Sequence, residues 1–521
     1  MRDLEGTNKN HIWKQTILFM KARYIIILIS ILSPFLTQAQ VKPAEEKYRP
    51  QIHFSPAQHW MNDPNGMVFY KGLYHFFYQY YPNGTKWGPM HWGHATSKDL
   101  MHWKHLPIAL YPDKLGYIFS GSVVIDSANT SGLGKKGIAP MVAIFTHHDP
   151  EGEKAGRKNY QNQSLAYSID EGKTWKKYKN NPVLPSPGIT DFRDPKVMWY
   201  AAGKKWIMTL ATKDRITFYS SPNLKNWTRE SEFGERVGAH GGVWECPDLL
   251  PLTLEGKTTW VLIVNINPGA PNGGSGTQYF TGDFDGNTFT PTDTKTRWAD
   301  FGTDNYAGVT FSNTGVRKVF MGWMNNWIYG DKVPTASWRG AATIPRELSL
   351  LKEGKEVFLV SNPVSELNTI AGTAVGFKDI QIKAVRDFSL MPNIAGPFVL
   401  KMKGDQLKDF VLSFTSYSSD KLVFGYDQKA KRYYIDRSKA GDTSFDKSFS
   451  NIQYAKRVSE AKDLDITIVV DAASIEVFAD GGLTNMTAVF FPEKNISRIM
   501  LKATNGLQLK EINYTPLKSI W

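Results

Sequence analysis

The sequence predicts an all-β protein, in which a five-bladed β-propeller is followed by a C-terminal β-sandwich. Three observations predict this fold: short strand patterns from about residue 50 onward, an internal repeat, and a change of texture near residue 350. The mature chain shows no long stretch of helical period. At 521 residues the chain is too long for one compact core, so we expect at least two domains.

The strand patterns are short and rich in aromatic and β-branched residues, and Gly, Lys or Asn turns bound them. These compositions are typical of half-buried and buried strands, and the glycines and asparagines are typical of hairpin turns. Clear examples occupy residues 67–70, 74–78, 206–210 and 260–264.

The internal repeat consists of a serine, an Asx-type turn and a tryptophan that opens the next strand. Copies occupy residues 97–103, 168–175 and 221–227, with a looser copy at 284–289. The spacing of about 50–70 residues leaves room for one four-stranded sheet per copy, and radial repetition of such sheets makes a propeller. Roughly five blades of that size fit between residues 52 and 350.

The texture changes after residues 344–348, where shorter strands with apolar and polar residues in alternation begin. Residues 466–471, 474–478 and 487–491 follow this pattern, which is typical of half-buried strands in a sandwich. We therefore expect four segments: a signal peptide at 1–39, a catalytic propeller at 50–350, a linker at 351–375 and a sandwich at 376–521.

The N-terminus has the pattern of a secretory signal. Lys21 and Arg23 precede an apolar run at 24–32 that is too short to span a membrane, and small residues lead to an expected cleavage after Ala39. Met20 is an alternative start, because a complete charged region follows it. We expect a secreted or periplasmic protein that has no membrane association after cleavage.

Composition excludes several classes of protein. The single cysteine, Cys246, rules out an intrachain disulfide, so large cores must hold the chain together. The formal net charge is +13, but the lysines are scattered through turns and no nucleic-acid module is present, so we expect no nucleic-acid partner. The 16 Trp and 23 Tyr fit a carbohydrate-binding protein, although most of these rings are expected in the core.

Three acidic motifs, each interrupted by a proline, lie in the propeller region. They are Trp-Met-Asn-Asp-Pro-Asn-Gly at 60–66, Phe-Arg-Asp-Pro at 192–195 and Trp-Glu-Cys-Pro-Asp at 244–248. Alone, the first motif is as typical of a surface turn as of a site, since its residues are ordinary turn residues. A propeller, however, gathers its inner strands around one axis, so the carboxylates of Asp63, Asp194 and Glu245 can meet in a central funnel.

Together with residues 76–80 and 119–122, these motifs resemble those of glycoside hydrolase family 32, the fructan hydrolases and invertases. The motifs occur in the family's order, and the match spans about residues 50 to 520. The resemblance implies a five-bladed propeller followed by a sandwich. It also implies an exo-acting β-fructosidase that releases terminal fructose from levan, inulin or sucrose through a covalent intermediate, without a cofactor or a metal.

The resemblance gives each carboxylate a role: Asp63 is the nucleophile, Glu245 the general acid/base and Asp194 a transition-state stabiliser. A retaining glycosidase needs one ionised and one protonated carboxyl group, about 5–5.5 Å apart. Like charges at close range resist joint ionisation, so we expect Glu245 to hold the proton and Asp63 to stay ionised. Arg193 is expected to keep the neighbouring Asp194 charged.

Further residues are expected to bind the sugar at positions that match the family. Amide and hydroxyl groups suit hydrogen bonds to fructosyl hydroxyls, and aromatic rings suit stacking. The loops 83–91 and 267–277 are expected to determine the preferred linkage. The expected binding residues are Trp60, Asn62, Gln79, Trp87, Phe119, Ser120, Arg193 and Trp323.

Four alternatives share parts of this pattern: a fructosyltransferase, an endo-acting fructanase, a propeller hydrolase of arabinan or xylan, and an inactive fructan-binding protein. The arabinan or xylan family lacks the Asn-Asp-Pro-Asn-Gly context, and the presence of all three carboxylates argues against an inactive protein. The spacing of His91 and His94 and the pair His147 and His148 are not accompanied by carboxylates, so no metal site is expected.

Overall fold

A computed structural model of the protein describes residues 46–388, 394 and 396–521. The expected signal peptide at 1–39 lies outside these residues. The described chain is built almost entirely from strands, with one short α-helix, α1 (Pro150–Lys154), capped by the Asp149 side chain. None of the helices in this part of the chain is long and apolar enough to cross a membrane.

Five sheets of four or five strands follow one another along the described chain between residues 59 and 363. In chain order, their strands are β1 (His59–Tyr70), β2 (Leu73–Tyr81), β3 (His91–Ser97) and β4 (Trp103–Leu110); β5 (Tyr117–Ile125), β6 (Met141–His148), β7 (Gln161–Ser168) and β8 (Lys176–Lys177); β9 (Phe192–Tyr200), β10 (Lys205–Thr212), β11 (Ile216–Ser221) and β12 (Thr228–Phe233); β13 (Val243–Leu254), β14 (Lys257–Asn267), β15 (Gly276–Phe284), β16 (Phe289–Pro291) and β17 (Arg297–Trp298); β18 (Tyr306–Thr310), β19 (Val319–Trp323), β21 (Arg346–Glu353) and β22 (Glu356–Pro363).

The five sheets are the blades of a propeller. The first strand of each sheet is the inner one, because β1, β5, β9, β13 and β18 contact one another in a closed ring. A further strand, β20 (Trp338–Arg339), pairs in parallel with β1 and joins the last part of the ring to the first blade. The inner strands therefore surround one axis, as the internal repeat predicted.

The fifth blade extends further along the chain than residue 350. Strand β22 pairs with β21 along its whole length, from Arg346 opposite Pro363 to Glu353 opposite Glu356. A 3₁₀ helix, Ser365–Ile370, follows directly. The interval 351–375, expected as a linker, thus contains the outer strand of the fifth blade. The uninterrupted apolar run at 357–360, which follows a charged turn around Gly354, was a usable signal for this strand.

The C-terminal part of the chain, from residue 375, is a β-sandwich of two six-stranded antiparallel sheets. The inner sheet has the order β23-β34-β25-β30-β31-β32 and the outer sheet the order β24-β33-β26-β27-β28-β29. The strands are β23 (Val375–Ile382), β24 (Val385–Asp387), β25 (Phe398–Gly404), β26 (Phe410–Ser416), β27 (Lys421–Asp427), β28 (Arg432–Lys439), β29 (Ile452–Lys456), β30 (Leu464–Val470), β31 (Ser474–Ala479), β32 (Thr484–Val489), β33 (Ile496–Lys502) and β34 (Leu507–Pro516). A 3₁₀ turn, Asp480–Gly482, joins β31 to its antiparallel partner β32.

Buried charges join the inner sheet to the propeller. His53, just before β1, is held between Asp471 and Glu476 at 2.7 Å from each. Glu476 also pairs with the buried Arg346, which in turn lies 2.9 Å from Asp300. Burial alone would lower the pKa of His53, but hydrogen bonds to the two carboxylates raise it to about 9. The histidine is therefore cationic at neutral pH and completes a paired network.

Candidate active site

The inner strand of every blade carries a β-bulge near the same end. At this point, two consecutive residues of the inner strand lie opposite a single residue of the neighbouring strand. A bulge adds one residue to a strand and redirects the side chains beside it. The bulged pairs are Asn62 and Asp63 in β1, Phe119 and Ser120 in β5, Asp194 and Pro195 in β9, Cys246 and Pro247 in β13, and Ala307 and Gly308 in β18.

The local sequences explain these bulges. Proline has no N–H to give to the ladder, so it is tolerated where a bulge interrupts the hydrogen bonds. Asp194, Cys246 and Ala307 have φ values of 65°, 43° and 54°, in the left-handed region that side chains other than glycine seldom adopt. The surrounding sheet imposes this backbone, which turns the motif side chains towards the propeller axis.

Asp63 is half-buried and held by donors from three strands. The Ser120 hydroxyl donates to Oδ2 at 2.6 Å, the Asn62 amide donates to Oδ1 at 2.9 Å, and the Cys246 thiol lies 3.6 Å from Oδ2. Burial and the charge of Glu245 raise the pKa of Asp63 to about 6, while the three donors oppose the rise. Above that pH the carboxylate is ionised and fixed in direction.

Asp194 is the most buried of the three carboxylates. Its Oδ2 accepts a hydrogen bond from the Cys246 backbone N–H at 3.0 Å and lies 3.6 Å from the Cys246 thiol. Burial raises the pKa of Asp194 to about 7; the charge of Arg193 opposes this rise, and the charges of Glu245 and Asp63 add to it. Because Cys246 contacts both aspartates, their carboxylates lie side by side.

Glu245 is oriented by two groups from other blades. Arg193 donates to Oε1 from Nε at 3.1 Å and from Nη2 at 2.9 Å, and the buried Tyr306 hydroxyl donates to Oε2. Arg193 also pairs with Asp191 at 2.5 Å. The hydrogen bonds of Arg193 go to Glu245, Asp191 and Gln161, and only its charge acts on Asp194.

The pKa values of both aspartates are raised towards neutrality, and burial is the main cause in each case. The charge of Glu245 contributes to both shifts, and the charge of Asp63 adds to the shift of Asp194, so the three carboxyl groups lie close enough to influence one another.

Several of the expected binding residues line or support the funnel beside Asp63. Trp87 is 43% exposed and meets the ring of Phe119 edge to face, with 6.1 Å between ring centroids. Phe119 stacks flat on His148 at 4.2 Å. Gln79 is buried, and its amide donates to the Asn65 side chain and to the Ile118 carbonyl of β5, so it joins the first blade to the second.

Two of the expected stacking residues are not exposed. Trp60 and Trp323 both have 0% exposure, while stacking on a sugar needs an open ring face. The Trp60 ring donates to the Asn62 side chain at 2.7 Å, and both rings pack against Trp327. Both rings are therefore buried packing residues; Trp60 also fixes Asn62, which in turn donates to Asp63.

Sequence reasoning missed four residues beside the site: Tyr306, Trp327, His148 and Asp191. Asp191 directly precedes the Phe-Arg-Asp-Pro motif, so its position next to Arg193 was a usable signal. Tyr306 and Trp327 lie outside the five motifs, and only the closure of the ring brings them to the axis. His148 was considered as a metal ligand, whereas here its ring packs on Phe119.

Both halves of the chain match models of one family. The model of the glycosyl hydrolases family 32 N-terminal domain matches residues 53–363, and that of the family's C-terminal domain matches residues 357–516. The chain belongs to glycosyl hydrolase family 32. The first match ends at Pro363, where the last strand of the fifth blade also ends.

Curated relatives and solved structures of family 32 agree with this membership. The chain is 43% identical to a levanase of Bacillus subtilis, over 96% of the chain and 76% of that protein. It is 38% identical to an extracellular exo-inulinase of Aspergillus niger, over 89% of the chain and 93% of that protein. The crystal structure of an exo-inulinase from Aspergillus awamori matches with a TM-score of 0.83 at 35% identity, covering 92% and 99% of the two chains.

Proposed function

We propose that this family 32 protein is a secreted exo-acting β-fructosidase, which releases terminal fructose from levan, inulin or sucrose with retention at the anomeric carbon. The similarity to a levanase and to exo-inulinases supports the substrate class. One observation carries the proposal: three carboxylates from three blades meet at Cys246 and Arg193, with one of them held by a hydroxyl and an amide donor.

In the first step, Asp63 attacks the anomeric C2 of the fructosyl unit and forms an ester bond to it. The bond between C2 and the leaving-group oxygen breaks, and Glu245 gives that oxygen a proton. The donors on Asp63 hold its oxygens in fixed directions, which lowers the entropic cost of the attack.

In the second step, Glu245 acts as a base. It takes a proton from water, the water oxygen attacks C2, and the ester bond to Asp63 breaks. The two displacements together restore the original configuration at C2. Arg193 and Tyr306 keep the Glu245 carboxylate in one orientation while its proton leaves and returns.

We assign Asp194 to stabilisation of the transition state. Its carboxylate faces the same space as Asp63, and a backbone N–H and a thiol of Cys246 hold it there. A buried carboxylate beside the reacting carbon stabilises the positive charge that develops on the sugar ring. The charge of Arg193 helps to keep this group ionised.

The test compares two variants at the reacting carboxylates with a control. Asp63→Asn and Glu245→Gln are expected to lower kcat on sucrose by about 10³-fold or more, because each removes an obligatory step. Glu171→Gln is the matched control, since it also replaces a carboxylate by an amide, in an exposed pair with Lys71. Near-native turnover by either active-site variant would refute the assignment.

The time course of products distinguishes the alternatives. Incubation of the protein with levan, inulin and sucrose should give free fructose from the first time point, without short fructan chains. An endo-acting enzyme would release oligosaccharides early, and a fructosyltransferase would build longer chains at high sucrose concentration. Binding of fructan without any release of sugar would identify an inactive binding protein.

We propose two further properties of the chain. Secretion follows from the signal-like N-terminus and from the extracellular exo-inulinase relatives, and a mature N-terminus at or near residue 40 in the culture medium would support it. The catalytic domain is proposed to run to Pro363, the end of the fifth blade, with the sandwich beginning at Val375. Secreted protein that keeps its first 39 residues would contradict the first property.

A further inference from the structure

The outer sheet of the sandwich carries a shallow cavity of about 350 Å³ on its outward face. Two tyrosines, Tyr434 of β28 and Tyr454 of β29, stand opposite each other in this cavity. We call this surface the tyrosine platform. It lies on the sandwich, and none of the roles assigned above to the active site uses it.

Tyr434 lies flat on the sheet because its neighbour is a glycine. Gly425 of β27 is paired with Tyr434, and a Cβ at Gly425 would lie only 2.5 Å from the Cζ and hydroxyl atoms of the tyrosine ring. The absent side chain leaves the room that the ring occupies. One ring face covers the glycine backbone, and the opposite face is directed away from the sheet.

Tyr454 completes the platform. It is 37% exposed, and the Arg432 guanidinium packs on its ring at 3.9 Å from the centroid. This contact fixes the ring, so little conformational freedom remains to be lost on binding. Among the described residues neither the Tyr434 nor the Tyr454 hydroxyl has a hydrogen-bond partner, so both can bond to a ligand.

The charges that line the cavity cancel. Two acidic residues, Asp409 and Asp427, face two basic residues, Arg432 and Lys502. A polyanion or a polycation would meet like charge on such a surface, whereas a neutral molecule rich in hydroxyl groups would find both donors and acceptors. Flat apolar rings beside polar groups of both kinds suit the two faces of a sugar.

A chain of packed residues links the platform to the wall of the active site. Asn272, in the loop between β14 and β15, exchanges two hydrogen bonds of 2.9 Å with the backbone of Tyr454. The same loop packs on Asn326, since a Cβ at Gly274 would lie 2.2 Å from the Asn326 amide oxygen. The next residue, Trp327, contacts Trp60 behind Asp63.

We propose that the tyrosine platform is a secondary binding site for a fructan chain whose end, or that of a neighbouring branch, occupies the active site. The choice of fructan rests on the proposed function. A polymer held at two places gains effective concentration at the catalytic site, whereas one sucrose molecule cannot occupy both places at once. The platform would therefore favour long substrates over short ones.

The test measures binding apart from catalysis. In the full chain carrying Asp63→Asn, which cannot turn over the polymer, the dissociation constants for levan and inulin are measured by affinity electrophoresis. Adding Tyr434→Ala and Tyr454→Ala is expected to weaken binding of at least one polymer about tenfold. Removal of aromatic side chains that contact a ligand commonly has an effect of this size. Tyr434→Trp, which keeps a flat ring, should retain most of the affinity.

The matched control is Tyr417→Ala, which removes an 87% exposed tyrosine in the turn between β26 and β27 that does not line the cavity. Unchanged binding of both polymers by the double tyrosine variant, with a native melting temperature, would overturn the proposal. A change from dimer to monomer in sedimentation, without a change in polymer binding, would show instead that a second copy of the chain covers the platform. Release of fructose by the wild type is measured in a separate assay. Its absence would refute only the proposed activity, because the binding measurement does not depend on turnover.

Discussion

Replacement of Ser120 by alanine is expected to move the acid limb of the pH–activity profile upward. The Ser120 hydroxyl donates to the Asp63 carboxylate at 2.6 Å, and this bond favours the ionised form. A hydrogen bond to a charged group contributes about 1.5–3 kcal/mol, and one pKa unit corresponds to about 1.4 kcal/mol. Loss of the bond should therefore raise the pKa of Asp63 by about one to two units.

The direction follows from the role of Asp63. The nucleophile must be ionised, so activity is lost as the pH falls through its pKa, which lies at about 6 in the native enzyme. In Ser120→Ala the acid limb of kcat/KM on sucrose should move to about pH 7–8, and activity at pH 5.5 should fall about tenfold or more. Activity at pH 8.5 should change much less.

Ser122→Ala is the control for this experiment. Ser122 lies two residues further along the same strand, but its hydroxyl donates to the Pro195 carbonyl and accepts from the Val197 N–H. Its removal should leave the acid limb in place, even if stability falls. An acid limb that stays at its native position in Ser120→Ala, or moves to lower pH, would refute the account of Asp63.

Three further predictions follow from buried groups. Tyr306→Phe removes the hydroxyl that bonds to Glu245, so kcat on sucrose should fall about 10–100-fold with a smaller change in KM. The raised pKa of His53, about 9, contributes about 3 kcal/mol of stability below pH 6.5 that is lost as the pH rises through 9. In urea titrations at pH 6 and pH 10, the midpoint of the native protein should fall more steeply than that of His53→Gln. Burial raises the pKa of the Cys246 thiol well above its usual range, so iodoacetamide should label it only after unfolding, as mass spectrometry would show.

Each of these predictions has a clear contrary result. Native kcat in Tyr306→Phe would show that Glu245 does not depend on this hydroxyl. An equal change of urea midpoint with pH in the native protein and in His53→Gln would show that the histidine does not carry the alkaline sensitivity. Rapid labelling of Cys246 in the folded enzyme would show that reagents reach this thiol, although the structure buries it beside the two aspartates.

Much of the fold was readable in the sequence because blades are local structures. Each blade is a run of neighbouring antiparallel strands, so the Ser-turn-Trp repeat marked the blades in chain order. The inward-facing alternation of β30 and β31 likewise marked the sandwich. The short parallel strand at Trp338–Arg339 was missed, because its pairing depends on closure of the ring and leaves no local pattern.

The carboxylates were predicted, and most of their partners were not. Asp63, Asp194 and Glu245 sit in motifs whose prolines mark the bulges, so the sequence carries the signal for both. The turn of the Arg193 side chain towards Glu245 depends on how two blades face each other. Tyr306 comes to the site from the fifth blade, and no local sequence pattern shows that this strand lies next to Glu245.

The burial of two tryptophans was also beyond the sequence. Trp60 and Trp323 belong to strands whose aromatic residues are equally suited to a core and to a sugar platform. Trp327 packs against both rings, and it lies outside the strands, so no strand pattern marks it. Packing between the blades therefore decides which of the three expected stacking tryptophans is exposed, and Trp87 is the one that is.

The central claim is that Asp63 carries the fructosyl unit as a covalent ester during turnover. The most direct measurement is the configuration of the product when methanol competes with water for that intermediate during hydrolysis of sucrose. Two displacements predict methyl β-fructofuranoside, identified by carbon-13 NMR. In Glu245→Gln supplied with β-fructosyl fluoride, whose leaving group needs no proton from Glu245, the peptide that contains Asp63 should carry the mass of one fructosyl unit. Formation of the α-anomer, with no modified peptide, would contradict the account.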